Sequence, residues 1–588
     1  MKLRVAFIST LAVLCSFSLF AQQWPQWALN AQHTGEVSTV GQHLNQNLVN
    51  IVYDPLVPQE TGPDAGAGDL LIHYQAPLVD GNNVYMMFKS GTFDPNDYST
   101  QTWGETKYSW SGTTLVTAWQ FTTDWKAPGS ENDFWEPVFH PALANGFLYV
   151  PGAGGSIWKV NKSTGTGTRI NPFNNVSSSR YTASPLTVDS SGRILYNVVE
   201  LVAGTPDFYN DDIVDSFIIR VSPNGHIEKV SYSTLTTGTP AGTAQCANAF
   251  STDPLPWPPS PTAVAPTVTC GTQRPGLNIA PAIAPNGTIY VATRGHLLSR
   301  ETWLLAINSN LTQKWIRSMR NRFNDGCGVP HSAGGQLPAN GAPGGCRAGA
   351  NLGVDPATNT PGGGRILDDS SASPVVAPDG SIIFGTYTRY NYAQGHLLHF
   401  ASNGDFLGSY KFGWDDTPGI FTGGENEQAL NNNQGDDSYG IVTKDNHYGG
   451  VGSYCNDNTF CPPDRNATDP GYPEQYFVSQ LNHNMHVQWS YQNTNTLSCT
   501  RDQFGNITCV SDHPNGFEWC VNAFIIDGNG VVYANSEDGN LFALNQGGTV
   551  KQKIFQQLAI GAAYTPTSIG GDGRIYSQND GHLFVVGN

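Results

Sequence analysis

Charge is scarce in this 588-residue chain, where Asp, Glu, Lys and Arg make up only 13% of the residues. Runs of Ala, Glu, Lys and Leu, the strong helix formers, are almost absent, and after residue 20 no stretch is long and apolar enough to cross a bilayer. These shortages argue against helical and membrane-spanning folds. No CxxC pair is present, which argues against a zinc site. Gly-x-Ser-x-Gly elbow, Walker loop, dinucleotide fingerprint and CxxCH haem site are missing too. Of the few charges, 47 are acidic and 29 basic, a net −18. A surface that acidic repels phosphate backbones and anionic lipids, so neither nucleic acid nor membrane insertion is expected. It suits cations or neutral substrates such as alcohols and sugars.

What is abundant is turn chemistry. The chain holds 65 Gly and 38 Pro, spread between short β-rich segments, which points to an all-β fold. At the N-terminus, Lys2 and Arg4 precede an apolar run from Val5 to Phe20 that ends at Ala21. That layout reads as a secretory signal peptide over 1–21, leaving 22–588 as the mature protein, secreted or periplasmic. Removing Lys2 and Arg4 takes the net charge from −18 to −20. Nine of the ten cysteines follow the leader. In an oxidising compartment they read as four local disulfides, Cys246/Cys270, Cys327/Cys346, Cys455/Cys461 and Cys499/Cys509, with Cys520 left as a buried thiol.

A small residue, Pro, a short apolar run, a Gly, Asp or Asn turn and a second apolar-aromatic run recur along the chain. Ala76-Pro77-Leu78-Val79-Asp80-Gly81, Pro141-Ala142-Leu143-Ala144-Asn145-Gly146, Ala280-Pro281-Ala282-Ile283 and Ser373-Pro374-Val375-Val376 are clear copies. Further copies begin at Ser184, Asn522 and Thr565. Each reads as a hairpin whose tight turn needs positive φ. A second hairpin follows most of them, as in Trp303-Leu304-Leu305-Ala306-Ile307-Asn308 running to Trp315. Two hairpins make a four-stranded blade, so the pattern predicts an eight-bladed β-propeller. The eighth, degenerate blade is expected between Tyr439 and Tyr491. The last repeat stops after three strands at Leu583-Phe584-Val585-Val586, and Leu48–Tyr53 from the N-terminus is expected to supply the missing strand and close the ring.

The stretch Trp24-Pro25-Gln26-Trp27-Ala28-Leu29-Asn30-Ala31-Gln32-His33-Thr34-Gly35 resembles the opening of quinoprotein-like propellers. The second hairpins resemble that family's Leu-x-Ala-Leu-Asp/Asn repeat. The resemblance covers nearly all the mature chain and implies a propeller of the pyrroloquinoline quinone repeat kind. In dehydrogenases of that family, the quinone lies over the channel on a Ca²⁺ held by carboxylate and amide oxygens, with an Asp base and an Arg against the quinone. By residue type, Arg180, Asp369, Asp437, Glu518 and Asn522 are the candidates for such a site. The adjacent Cys-Cys pair of alcohol-oxidising relatives is absent.

Other polar residues expected at the funnel are His73, His140, Asn278, Asp368 and Asp436. His73 and His140, with His447 or His513, are candidates for a transition-metal site. Long insertions at 236–279, 320–371, 413–436, 449–473 and 494–517 are expected to build a braced cap on one face. The favoured function is a module that binds a small molecule, polymer or protein. The alternatives are a quinone- and Ca²⁺-dependent dehydrogenase of alcohols or sugars, and a metal-dependent lyase or oxygenase acting on extracellular polymers.

Overall fold

The computed structural model describes residues 24–588 except 64, 95–96, 129–134, 205–207, 210, 251–257, 259, 324–325, 328–346, 348, 356–357, 389–394, 411–412, 424–438, 448–473, 503 and 562–563. Residues 1–23, which include the expected leader, and Asp436, Asp437, Cys346, Cys455 and Cys461 thus lie outside the described residues.

Eight antiparallel blades form the ring, with innermost strands Leu78–Asp80, Ala142–Ala144, Thr187–Val188, Ala282–Ile283, Val375–Val376, Gly419–Phe421, Ile525–Ile526 and Ser568–Ile569. This is the architecture that the repeat and the family resemblance imply. In blades 3 and 4 the inner strand is split, and Arg180–Thr182 and Gln273–Pro275 extend it toward the start of the blade. Tight turns follow the expected chemistry. Asn145 and Gly146 hold φ of 52° and 81° between Ala142–Ala144 and Phe147–Pro151, the positive pair that a two-residue hairpin turn requires.

The degenerate blade is the sixth in chain order, and one expectation about it is corrected. Its inner strand, Gly419–Phe421, pairs with Gly440–His447, so it lies inside the stretch read from sequence as the 413–436 insertion. The reason is legible afterwards: Thr417-Pro418 opens this blade as Ser373-Pro374 opens the fifth, but no tight Gly turn follows it.

Ring closure is as expected. Gln46–Val52 pairs antiparallel with His582–Gly587 and completes blade 8 across the two ends of the chain. Neighbouring blades are also joined by indoles on fourth strands. Trp119 of blade 1 donates Nε1–H to the Lys162 carbonyl of blade 2 (3.0 Å), and Trp315 of blade 4 does the same to Ser402 of blade 5 (3.0 Å). Each indole thereby buries apolar area while its one polar atom is satisfied.

The family-like opening segment lies across the axis. Trp24 N donates to Val79 O (2.9 Å), Leu143 N to Pro25 O (2.7 Å), and Val188 N to the Gln26 side chain. Ile283 N, Val376 N, Ile420 N and Ile526 N then donate to Ala31 O, Gln32 O, Thr34 O and Gly35 O at 2.6, 3.0, 2.8 and 3.0 Å. Gln42 N finally reaches Gly573 O (2.8 Å). One segment therefore visits blades 1 to 8 in order, at the end where each inner strand turns into the second. Trp27 and Ala28, buried at the centre, pack on Ala280 and Ala523 from opposite sides of the ring.

The connections that run from one blade's outer strand to the next blade's inner strand emerge at the other end. They include 236–279 and 494–517, each carrying a two-stranded hairpin and a formed disulfide, Cys246–Cys270 and Cys499–Cys509. Cys327 is also disulfide-bonded, and Cys520 is a buried free thiol.

Candidate functional site

The mouth of the channel, opposite the opening segment, is built where inner strands begin, and among the described residues three buried groups of paired charges stand there. In the first, Lys89 Nζ lies 3.2 Å from Asp54 and 2.9 Å from Glu136, and it also pairs with Glu60. Burial opposes a charge on Lys89, but the three carboxylates outweigh it and hold the ammonium well above its ordinary pKa. In the second, Asp368 accepts two bonds from Arg274 (2.8 and 2.6 Å), one from Arg294 (3.0 Å) and one from the Tyr209 hydroxyl (3.0 Å). Burial would raise this carboxyl, yet the guanidiniums press it far below the usual carboxylate range. In the third, Asp415 accepts the Tyr564 hydroxyl proton and lies 3.5 Å from Lys444, whose ammonium sits 4.8 Å over the Tyr564 ring.

His73 connects these groups. Its Nδ1 is 2.8 Å from Glu136 O and its Nε2 is 3.0 Å from Asp369 O. The ring stacks on Tyr564 at 4.4 Å, with Trp135 alongside. Burial lowers its pKa to about 4, so the imidazole is neutral at physiological pH. Asn278, at φ 65°, donates to Asp368 O (2.9 Å) and Ser370 O (3.3 Å) and accepts Val138 N–H (2.8 Å), tying three blade entries together.

The other candidates from sequence are held by different neighbours. Arg180 pairs with Glu200 (2.9 Å), donates to Asn175 and lies over the Phe173 ring, all within blades 2 and 3. Glu518 accepts a 3.4 Å bond from Asn446 and uses its carbonyl for Ser536. His140 turns Nδ1 to Pro141 O (2.7 Å) and its ring edge to Trp27. Asn522 is fully buried, and neither atom of its amide has a partner among the described residues. Asp415, Lys444, Tyr564, Arg274 and Arg294 were not singled out from sequence. For Asp415, the Asp-Asp-Thr-Pro spelling ahead of an inner strand was the available signal.

These positions bear on whether a quinone and Ca²⁺ fit. Hard oxygen ligands must be free to face the ion, but Asp368 is consumed by two arginines and Asp415 by Lys444 and Tyr564. Among the described residues no group of three or more His, Cys, Asp or Glu is placed to hold a metal ion. Asp368 and Asp415 therefore do not supply such ligands, and Asp437, a candidate for that role, lies outside the described residues.

Concavities lie instead on the shoulders of the same face. A groove of about 560 Å³ between blades 1, 2 and 3 is walled by Tyr98, Trp125, Lys126, Ser177, Arg180 and Tyr181. Another of about 640 Å³ is framed by Ala247, Ala265, Glu301, Trp303, Arg320 and Asn359. Both are of the size that small ligands occupy. The second runs beside the hairpin braced by Cys246–Cys270.

No model of a known protein family matches the chain, and no curated protein matches it. Solved structures are similar at low identity. A europium-containing methanol dehydrogenase shows 10% identity over 95% of this chain and 89% of that one, with a TM-score of 0.45. The quinohemoprotein alcohol dehydrogenase from Comamonas testosteroni shows 12% over 96% and 81%, with a TM-score of 0.44. BamB from Moraxella catarrhalis shows 11% over 92% and 99%, with a TM-score of 0.37. Similarity at that level carries no argument about activity; the fold rests on the eight sheets themselves.

Proposed function

We propose that this chain is a binding module of an oxidising, extracytoplasmic compartment, and that it takes its ligand or partner on the face opposite the opening segment. The observation that carries this reading is the state of the axis. One end is laced by a segment bonded to all eight blades, and at the other three groups of charged residues, around Lys89, Asp368 and Asp415, are paired inside the protein. Groups already neutralised by neighbours are poorly placed to act on a substrate. The shoulder grooves and disulfide-braced hairpins remain accessible. The formed disulfides support the compartment.

The test is to incubate the mature protein with pyrroloquinoline quinone and Ca²⁺, desalt it, and record the absorption spectrum and metal content. Neither should be retained. A quinone band with one Ca²⁺ per chain would overturn the binding reading in favour of a dehydrogenase. Stoichiometric copper, iron, zinc or manganese would overturn it in favour of a metal enzyme.

A further inference from the structure

The connection between blades 6 and 7 carries a hairpin that the propeller does not need for its core. Leu497–Arg501 pairs with Ile507–Ser511, with Cys499 opposite Cys509 and bridged to it. The hairpin projects: Phe504 at its turn is 81% exposed, Val510 61% and Ile507 47%. An isolated two-stranded hairpin is marginal in water. The disulfide therefore holds a shape that packing alone does not supply, and that shape presents apolar side chains to solvent.

Beside its turn the hairpin meets the outer strand of blade 7. Arg501 donates to Phe555 O (3.4 Å), and its guanidinium lies 5.3 Å over the Phe555 ring. Lys553, two residues away and so on the same face of that strand, lies 5.5 Å over Phe542. Lys551 is exposed beside them. None of these three cations has an ion pair among the described residues, in a chain whose net charge is −18. The strand Thr549–Phe555 is the last of its sheet, so beyond the Phe555 carbonyl, taken by Arg501 and by Asn47 (3.0 Å), its outer edge is open to main-chain pairing.

We propose that this hairpin and the outer strand of blade 7 form a docking surface for an acidic, extended polypeptide segment bearing apolar side chains. The assignment rests on the binding reading above. Three unpaired cations supply charge complementarity. Phe504 and Ile507, the latter on the same face of the hairpin as Arg501, offer apolar contacts, and the strand edge offers main-chain hydrogen bonds. A broad anionic surface fits worse, because it faces the whole acidic protein, whereas a narrow segment meets only the ground around these three cations.

The experiment uses the full mature chain and a fluorescein-labelled peptide of alternating glutamate and valine, followed by anisotropy. A lysine–valine peptide and phosphatidylglycerol vesicles serve as comparisons. The acidic peptide should bind, with affinity falling as salt is raised, and the lysine peptide should not. Arg501→Glu with Lys553→Glu should weaken binding about tenfold or more, and Phe504→Ser should weaken it with the melting temperature unchanged. Equal binding of both peptides, no binding of the acidic one, indifference to the charge reversal, or binding to vesicles alone would each overturn the proposal. The quinone and Ca²⁺ assay reads the underlying binding assignment separately, so failure of one is distinguishable from failure of the other.

Discussion

Buried charge decides what individual side chains do here. Lys89 is buried among three carboxylates, so removing the ammonium leaves uncompensated buried charge. Lys89→Met should cost about 3–5 kcal/mol, read as a lower urea midpoint at constant slope. Titration should bound stability from both sides. Burial raises the Asp445 carboxyl to about 7 against hydrogen bonds from Tyr410 and Ser479. Its folded pKa thus exceeds its unfolded one, and its stabilising contribution is full below about pH 4 and lost as pH rises through 7. His33 and His73, both lowered by burial to about 4, act in the opposite sense. Their contribution is present above about 6.5 and lost as pH falls toward 4. Urea midpoints from pH 4 to 8 should therefore pass through a maximum. Asp445→Asn should remove the loss of stability between about pH 4 and 7 and move the maximum to higher pH, and an unchanged maximum would show that another group sets it.

Among elements, two N-terminal pieces do separate jobs. The opening segment fills the axis from Trp24 to Gln42, while Gln46–Val52 completes blade 8. Trp27→Ala should cost about 3–5 kcal/mol, since the indole is buried on the axis with its Nε1–H bonded to Thr417. Deleting 46–52 should instead leave the edge of His582–Gly587 open to other chains. Size-exclusion chromatography should then show concentration-dependent oligomers, and a stable monomer would mean that the edge is covered some other way. Both elements were legible as sequence, one as a family-like opening and the other as an orphan strand. The inner strand Gly419–Phe421 was not, because glycine and a missing tight turn break the repeat there.

For the whole molecule, the net charge of −18 on a ring built by burying apolar blade faces sets up self-repulsion. Raising NaCl from about 10 to 150 mM shortens the Debye length from about 30 to 8 Å, so the melting temperature should rise. No change would show that the acidic groups are compensated locally, as Asp368 is.

What the sequence by itself determined is the ring: blade composition and hairpin turns depend on residues a few positions apart, and closure showed as an orphan strand ahead of a repeat that stops one strand short. Only the tertiary structure decided the axis. Asp368 meets Arg274 and Arg294 from 94 and 74 positions away, and Tyr564 meets Asp415 across 149. Groups that converge from separate blades leave no periodic trace, because nothing in chain spacing reports which faces the ring turns inward.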